Sequence, residues 1–323
     1  MSRRWKLFGL NSSSRFGGKP AFTGLLNQFP GAAFGASVRL LDNNYTGGLI
    51  RVRAWDGLAD QGQADVMPYQ IGSEKWVNMN SRLTNLDATA IGRGLTTSST
   101  LADLVDSGGS NYDGYVPKWY EQSGNANDGV QTTATLQPTI VESGVLNLEN
   151  GKPSINFNGL NSHFVINTIG LFSNGVHTFA INKPTITGYR ALFYYYDGVS
   201  NATGVYNSAY GIYIPVGVIA GIKALTGFGS TPNSNQQLSN VYYDGIGDSV
   251  TDATLKIDNS VTPLTTSGSW GTIKSSSAIG FYPGGSILNG YQGSIQEIAT
   301  WLEDKTTEEV AIQNNINTAF TIY

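Results

Sequence analysis

The sequence contains no cysteine, and this absence removes several kinds of chemistry at once. Disulfide bonds, thiolate metal sites and cysteine nucleophiles are all excluded. Histidine is nearly as scarce, because His163 and His177 are the only two in 323 residues. A pair of histidines so far apart in sequence is more typical of surface or packing positions than of zinc ligands, so we predict no zinc site.

Charged residues are also few. Asp, Glu, Lys and Arg make up 13% of the chain, against roughly 25% in an average soluble domain. Disordered segments and long helical bundles both need dense charge, so neither class fits the bulk of this chain. The 40 glycines and 36 aromatic residues instead favour short strands joined by turns.

Long apolar runs are missing as well. No run reaches 18 residues, so we predict no transmembrane helix. Residues 2–8 weakly resemble a twin-arginine start, but no apolar stretch follows, and we predict no signal peptide. The net charge of −4 gives no overall attraction for nucleic acid. This charge is unevenly distributed, since residues 1–41 carry +6 and the remainder carries −10.

The order of apolar and polar residues predicts local structure. Helical spacing of apolar residues predicts a short helix over residues 32–41, and alternation predicts a strand over 49–55. A second helix is predicted at 100–105 and a strand at 116–121. A hydroxyl cap at Thr306 with glutamates in the first turn predicts a terminal helix through Phe320.

Further strands recur about every 8–12 residues, with Gly, Asn and Pro between them, which is typical of a sandwich or jelly roll. They are predicted at residues 139–141, 154–158, 163–166, 178–181, 191–196, 211–214, 241–243, 254–257, 278–282 and 293–301. No internal repeat and no linker interrupts this pattern. We therefore predict a basic N-terminal arm over residues 1–29 and one β-sandwich domain over residues 30–323. A disordered terminus is the competing interpretation of the basic segment.

Three segments carry a resemblance to a known family. They are GAAFGASVRLL at 31–41, WYEQSGNAN at 119–127 followed by GKPSINFNG at 151–159, and NGYQG at 289–293. Together they resemble the concanavalin A-like catalytic domain of family-54 α-L-arabinofuranosidases, and still more the related domains of bacteriophage structural proteins. The resemblance implies an all-β, concanavalin A-like jelly-roll sandwich with a few short helices, including one at the C-terminus.

The resemblance also locates two catalytic carboxylates of the family, and this chain has neither. The acid/base position corresponds approximately to Ser286, and the nucleophile position falls, on a looser alignment, at Tyr210. Retaining glycosidases need two carboxyl groups, and a serine cannot replace a carboxylic acid as proton donor near neutral pH. We therefore predict no catalytic residues, with an active or diverged glycoside hydrolase or depolymerase as the alternative.

Other acidic residues have structural and functional interpretations. Glu121 stands where the family usually has Asp, and with Asp128 it flanks the Gln-Ser-Gly-Asn loop. For both we favour capping of a tight turn over catalysis, and we name both as glycan-binding candidates. Glu297 favours a structural hydrogen bond or salt bridge. The oxygen-rich run at 42–44 lacks the spaced carboxylates of a calcium loop, so no cofactor is predicted and Ca²⁺ stays an open alternative.

The middle of the chain is rich in tyrosine. Tyrosine rings stack on sugars and anchor protein interfaces, but about half of the residues of an alternating strand face the core. We name Tyr195, Tyr213 and Tyr243 as glycan-binding candidates, with core packing as the competing interpretation.

These observations lead to a functional hypothesis. The chain is predicted to be a bacteriophage virion protein on the particle surface: a head fibre, a capsid decoration or a tail-associated adhesin. Basic residues of the arm would dock it on other virion proteins, and the sandwich would face host-surface glycans. A homo-oligomer is expected, with no nucleic acid partner and no membrane insertion; a cement protein without glycan affinity is a further alternative. The docking residues are Arg3, Arg4, Lys6, Arg15 and Lys19.

Overall fold

A computed structural model gives the fold of most of the chain. It describes residues 23–185, 190–196, 202–208, 211–217, 223–227, 235–244, 253–262, 264–269, 277–280 and 290–323. The predicted docking residues, together with Tyr210 and Ser286, lie outside these ranges. Tyr213 lies in a strand for which only the backbone is described.

The described residues form a predominantly β structure. The strands of the first half are β1 Ala32–Ser37, β2 Ile50–Trp55, β3 Asp60–Val66, β4 Tyr69–Ile71, β5 Glu74–Trp76, β6 Leu83–Thr84, β7 Asp106–Ser107, β8 Ser110–Asn111, β9 Asp113–Trp119, β10 Gly129–Val130, β11 Thr139–Glu142, β12 Val145–Leu146, β13 Leu148–Glu149, β14 Lys152–Pro153 and β15 Ile155–Asn158. The second half holds β16 Phe164–Ile166, β17 Val176–Pro184, β18 Arg190–Tyr196, β19 Ala202–Ser208, β20 Gly211–Gly217, β21 Lys223–Gly227, β22 Gln237–Tyr243, β23 Ala253–Ile257, β24 Ser260–Thr262, β25 Leu264–Ser269, β26 Ser277–Ile279 and β27 Gln292–Trp301.

Helices are few and short apart from the last. They are α1 Leu25–Gln28, α2 Ala88–Gly92, α3 Leu101–Leu104 and α4 Glu309–Phe320, with a 3-10 helix at Ala134–Leu136. Thr100 and Asp103 form a reciprocal capping box at the start of α3, which confirms the helix predicted there. Within the described ranges, no helix is long and apolar enough to cross a membrane.

Antiparallel pairing arranges the strands in two layers. One layer runs β24-β23-β22-β17-β27-β15-β11-β9-β2-β3-β6, with β1 beside the second half of β27. The other runs β10-β16-β26-β18-β19-β20-β21-β25 and joins the first through the pairing of β9 with β10. Aromatic contacts join the layers, with ring centroids 6.4 Å apart for Phe34 and Tyr195 and 5.9 Å apart for Phe157 and Phe164. The predicted sandwich is thereby confirmed.

The helix predicted over residues 32–41 is wrong. Residues 32–37 form β1, which pairs with β27 from Ala32 opposite Trp301 to Ser37 opposite Glu297. All six residues of β1 are buried, so the strand carries no polar alternation that would identify it. A short, fully buried apolar run has no diagnostic period, and tertiary pairing decides its structure.

The terminal helix is confirmed, but its predicted start is wrong. Residues 306–308 form a turn, α4 begins at Glu309, and its N-cap Glu308 makes no side-chain cap hydrogen bond. The helix buries Ile312, Ile316 and Phe320 against the core.

The other predicted strands agree with the structure where it describes them, apart from two of their ends. β9 ends at Trp119, two residues before the predicted end at 121, and β26 ends at Ile279. Residues 281 and 282 of the strand predicted at 278–282 lie outside the described residues. The predicted arm has a buried end, because Leu25, Leu26 and Phe29 belong to the core. Residues 23–29 are therefore part of the sandwich.

Candidate functional site

A groove of about 730 Å³ lies on the first layer of the sandwich. Its floor follows one line of register across six adjacent strands, β2, β9, β11, β15, β27 and β17. Because each residue of this row is paired with the next, their side chains share one face of the sheet. The row is Arg53, Tyr115, Thr139, Asn156, Ser294 and Lys183, and all six line the groove.

On β15 and β27, the residue before Asn156 and the residue after Ser294 point to the opposite face. Ile155 and Ile295 flank Asn156 and Ser294 in sequence, and both isoleucines are fully buried in the core. Strand alternation therefore places amides, hydroxyls and charges on the groove side of a sheet whose other side is apolar. With about 4.8 Å between neighbouring strands, the row extends over roughly 24 Å.

The β2 end of the row is aromatic. The guanidinium of Arg53 lies 5.6 Å from the ring of Trp55 and 4.8 Å from the ring of Tyr115, and both rings line the groove. Arg53 Nε donates to Gln137 Oε1 at 2.8 Å, and Nη2 donates to the Ala134 carbonyl at 3.4 Å. Burial raises the pKa of Tyr115, so its hydroxyl stays protonated.

Two glutamates also line the groove. Glu142 Oε1 accepts hydrogen bonds from Thr139 Oγ1 at 2.9 Å, Asn147 Nδ2 at 3.2 Å and Asn156 Nδ2 at 3.4 Å. Glu149 pairs with Lys183 across 2.9 Å at the β17 end of the row. Carboxylates and amides of this kind are the groups that hold sugar hydroxyls by hydrogen bonds.

One wall of the groove is the β13–β14 hairpin. Gln296 Nε2 donates to the carbonyls of Glu149, Lys152 and Pro153, and Asn150 Nδ2 donates to the carbonyls of Phe320 and Thr321. The hairpin is thus anchored to β27 and to the end of α4. Leu148, 57% exposed, stands at the rim.

Two of the three tyrosines proposed from the sequence do not contribute to the groove. Tyr195 and Tyr243 are completely buried, so both pack in the core and neither presents a ring to a glycan. Tyr195 accepts a hydrogen bond from Thr300 Oγ1 at 3.2 Å. The competing interpretation, core packing, is the one that the structure supports for these two residues.

Glu121 is buried and caps the loop that follows it. Its carboxylate accepts backbone N–H groups of Gly35 at 3.2 Å, Asn125 at 3.0 Å and Ser123. Asp128 accepts the Glu121 N–H at 2.9 Å and pairs with Lys118 at 2.7 Å. Neither acid lines the groove. The geometry agrees with turn capping, the role favoured from the sequence.

The remaining sequence candidates also have defined positions. Glu297 forms a buried pair with Arg39, at 2.7 Å, as expected of a structural acid. Asp42 Oδ1 accepts N–H groups from Asn27 and Asn44.

His177 is fully buried and stacks on Phe179. Throughout the described part of the chain, no three His, Asp or Glu residues gather in a group that could hold a metal ion.

Sequence reasoning missed every residue of the groove floor. The one local signal was the spacing of Arg53 and Trp55, two residues apart on a predicted strand and hence on one face. Their partners come from sequence positions as distant as Ser294, and no local pattern links them.

Comparison with solved structures places the fold. The chain resembles an arabinofuranosidase complexed with arabinofuranosyl-α-1,2-xylobiose, with a TM-score of 0.54 and 16% identity over 91% of this chain and 64% of that one. A GH54 α-L-arabinofuranosidase soaked with a cyclic sulfate inhibitor has a TM-score of 0.45 and 15% sequence identity, over 89% of this chain and 63% of that one. Domain 4 of a GH43 extracellular arabinanase from Geobacillus stearothermophilus, in complex with arabinotriose, has a TM-score of 0.41 and 13% sequence identity. The match covers 60% of this chain and 91% of that domain.

The similarity to these structures is limited in identity and in coverage. No protein-family model and no curated protein matches the chain. The chain spans 64% of the arabinofuranosidase that it matches at TM-score 0.54. At 16% identity the likeness shows the fold alone, and the two lower TM-scores add no argument. The chain therefore has the β-sandwich fold found in carbohydrate-active enzymes of the arabinofuranosidase type.

Proposed function

We propose that this protein binds an oligosaccharide along the groove. The observation that carries the proposal is the continuous row of polar side chains across six strands, with the rings of Trp55 and Tyr115 at one end. Aromatic faces stack on sugar rings, while amides, hydroxyls and carboxylates satisfy sugar hydroxyls. The volume of about 730 Å³ suits a ligand of several sugar units, since typical ligand sites measure about 300–1,000 Å³.

A glycan array with matched variants tests this proposal. Trp55→Ala and Tyr115→Ala each remove one groove ring, and we expect at least a tenfold loss of affinity for any glycan that the wild type binds. Tyr69→Ala is the control, because Tyr69 is 40% exposed on β4 and does not line the groove. Absence of glycan binding by the wild type, or equal losses in all three variants, would refute the proposal.

Glycoside hydrolysis is a second candidate, favoured by the presence of Glu142 and Glu149 in the groove. Hydrolysis needs two carboxyl groups on either side of the scissile bond. The test is release of phenol from an aryl α-L-arabinofuranoside and of reducing ends from polysaccharides. Glu142→Gln and Glu149→Gln should abolish turnover if these acids act. Glu303→Gln, 51% exposed and outside the groove, should leave it unchanged.

The setting of a virion surface rests on the sequence alone. The resemblance to phage domains and the +6 charge of residues 1–41 support docking of the N-terminal residues on other virion proteins. Deletion of residues 1–22 should reduce incorporation into particles, measured as copy number per virion. Normal incorporation of the truncated chain would refute docking without affecting glycan binding by the groove.

A further inference from the structure

Two arginines of the described chain are buried, and their surroundings differ. Arg39, 1% exposed, meets the carboxylate of Glu297 through two hydrogen bonds, from Nε at 2.7 Å and from Nη2 at 3.1 Å. Among the described residues, Arg53, 5% exposed, has no carboxylate within hydrogen-bond distance. Its ion-pair partner there is Asp60, at 3.8 Å from Nη1, and that side chain is 43% exposed.

The partners of Arg53 are neutral. Its two hydrogen bonds go to the Gln137 amide oxygen and the Ala134 carbonyl, and two aromatic rings flank the guanidinium. A buried charge is costly unless an opposite charge compensates for it. Neutral acceptors, ring faces and the distant, half-exposed Asp60 compensate only partly, so the groove holds a cation that the described residues neutralise incompletely.

The pKa values reflect the same contrast. Burial lowers the pKa of Arg53, and the attraction of Asp60 offsets only part of that effect. Burial also acts to lower the pKa of Arg39, but Glu297 and Glu74 together more than compensate, and the pKa is raised. Both guanidinium groups remain charged, because arginine does not lose its proton in proteins. The difference therefore reports incomplete neutralisation at Arg53.

We infer that the groove selects a glycan bearing a carboxylated sugar, such as a uronic acid, whose carboxylate is bound by Arg53. This inference rests on the proposed glycan binding. The planar guanidinium offers a fork of donors that matches a carboxylate, as Arg39 already shows with Glu297. The flanking Trp55 and Tyr115 rings supply apolar faces for the sugar that carries the acid.

The other charges of the groove fix where the acidic sugar lies. Lys183 is already paired with Glu149 at 2.9 Å, so no unpaired cation lines the β17 end of the groove among the residues that the structure describes. Glu142, between the two ends, repels a second carboxylate there. A ligand with one acidic unit at the aromatic end and neutral units beyond it meets complementary groups along the whole row.

Matched saccharides test the inference directly. The probes are two tetrasaccharides that each carry a single terminal uronic acid followed by neutral units, galacturonic acid in one and mannuronic acid in the other, together with their methyl esters and neutral arabinotetraose, each titrated calorimetrically against the full chain. The esters keep the sugar ring and linkage but remove the negative charge. We expect the wild type to bind at least one acid ten times more tightly than its ester, with the difference shrinking as NaCl is raised.

Three variants assign that preference to Arg53. Arg53→Gln should bring acid and ester to within twofold of each other, and Arg53→Lys, which keeps the charge but loses the fork, should fall in between. Arg82→Gln is the matched control, since Arg82 is exposed and does not line the groove. The Arg53→Lys result keeps the test decisive if Arg53→Gln does not fold.

The possible outcomes distinguish glycan binding by the groove from selection of a carboxylated sugar by Arg53. Binding of arabinotetraose or the esters without preference for an acid would overturn the inference and leave glycan binding intact. A preference that survives in both Arg53 variants would also overturn the inference. If no saccharide of the panel or the array binds, the proposed function fails together with it.

Discussion

Arg39 and Glu297 form a two-pronged ion pair inside the sandwich, between residues that lie 258 positions apart in sequence. Both side chains are 1% exposed, and Ser37 and Asn315 complete the hydrogen bonds around them. The pair joins the segment after β1 to β27. Both charges are desolvated, and Arg39 has a second, weaker partner in Glu74, which lies 3.5 Å from Nη1 and is 24% exposed. Loss of Glu297 therefore leaves Arg39 only partly compensated, and loss of Arg39 leaves Glu297 without the cation that it pairs with.

Glu297→Gln should therefore lower the free energy of unfolding by about 3–5 kcal/mol, the usual cost of breaking a buried pair on one side. The measurement is urea denaturation followed by tryptophan fluorescence. Glu303→Gln is the control, because Glu303 is 51% exposed in its pair with Lys305, and its loss should cost at most about 1 kcal/mol. Equal, small losses in the two variants would contradict this account.

His177 should make stability depend on pH in mildly acid solution. Burial lowers its pKa to about 4, and its ring atoms contact Asn240 Oδ1 and the Lys305 N–H. The unfolded chain takes up a proton near pH 6.5 and the folded chain does not, so stability falls as pH drops from 6.5 towards 4. We expect a loss of about 2 kcal/mol between pH 7 and pH 5.

Thermal and urea unfolding across pH 5–7 measure this effect. His177→Gln should remove most of the pH dependence, because no imidazole remains to be protonated in the unfolded state. His163→Gln, the same change at the other histidine, should leave the pH dependence of stability unchanged. A wild-type profile that is flat over this range would show that His177 does not govern it.

Glu121 should contribute to stability and not to ligand binding. Its carboxylate accepts three backbone N–H groups, so Glu121→Gln replaces an acceptor by a donor and should cost about 2–4 kcal/mol. Asp128→Asn, in the same loop but partly exposed, should cost about 1 kcal/mol. Folded Glu121→Gln protein that has lost glycan binding at unchanged stability would identify Glu121 as a ligand instead.

Gly293 lets β17 and β27 approach beneath the groove. Its φ is +138°, and a Cβ atom there would lie 2.0 Å from the Lys183 carbonyl oxygen. Gly293→Ala should destabilise the protein by at least about 3 kcal/mol and weaken glycan binding, because the strands must separate. Gly72→Ala, at φ +64° with open space around it, should cost only about 1–2 kcal/mol. Similar melting temperatures for the two variants would contradict this reasoning.

How far the sequence predicts the structure depends on how local each signal is. Strands such as β2 and β23 are recognisable because alternation, β-branched residues and flanking turn residues are all local. The segment at 32–37 was misassigned because a fully buried strand has no polar face to define its period. The role of Glu297 was foreseen from its place in an alternating strand, although its partner Arg39 was not.

By itself, the sequence determined the all-β class, the absence of thiol chemistry, the scarcity of charge and most strand positions. These follow from composition and from patterns only a few residues long. The tertiary structure alone decided that Tyr195 and Tyr243 are core residues, and that Arg53, Tyr115 and Asn156 meet Ser294 and Lys183 in one row. The reason is physical: strand register joins residues up to 241 positions apart, and it is set by burial of the opposite face, not by the polar residues that form the groove.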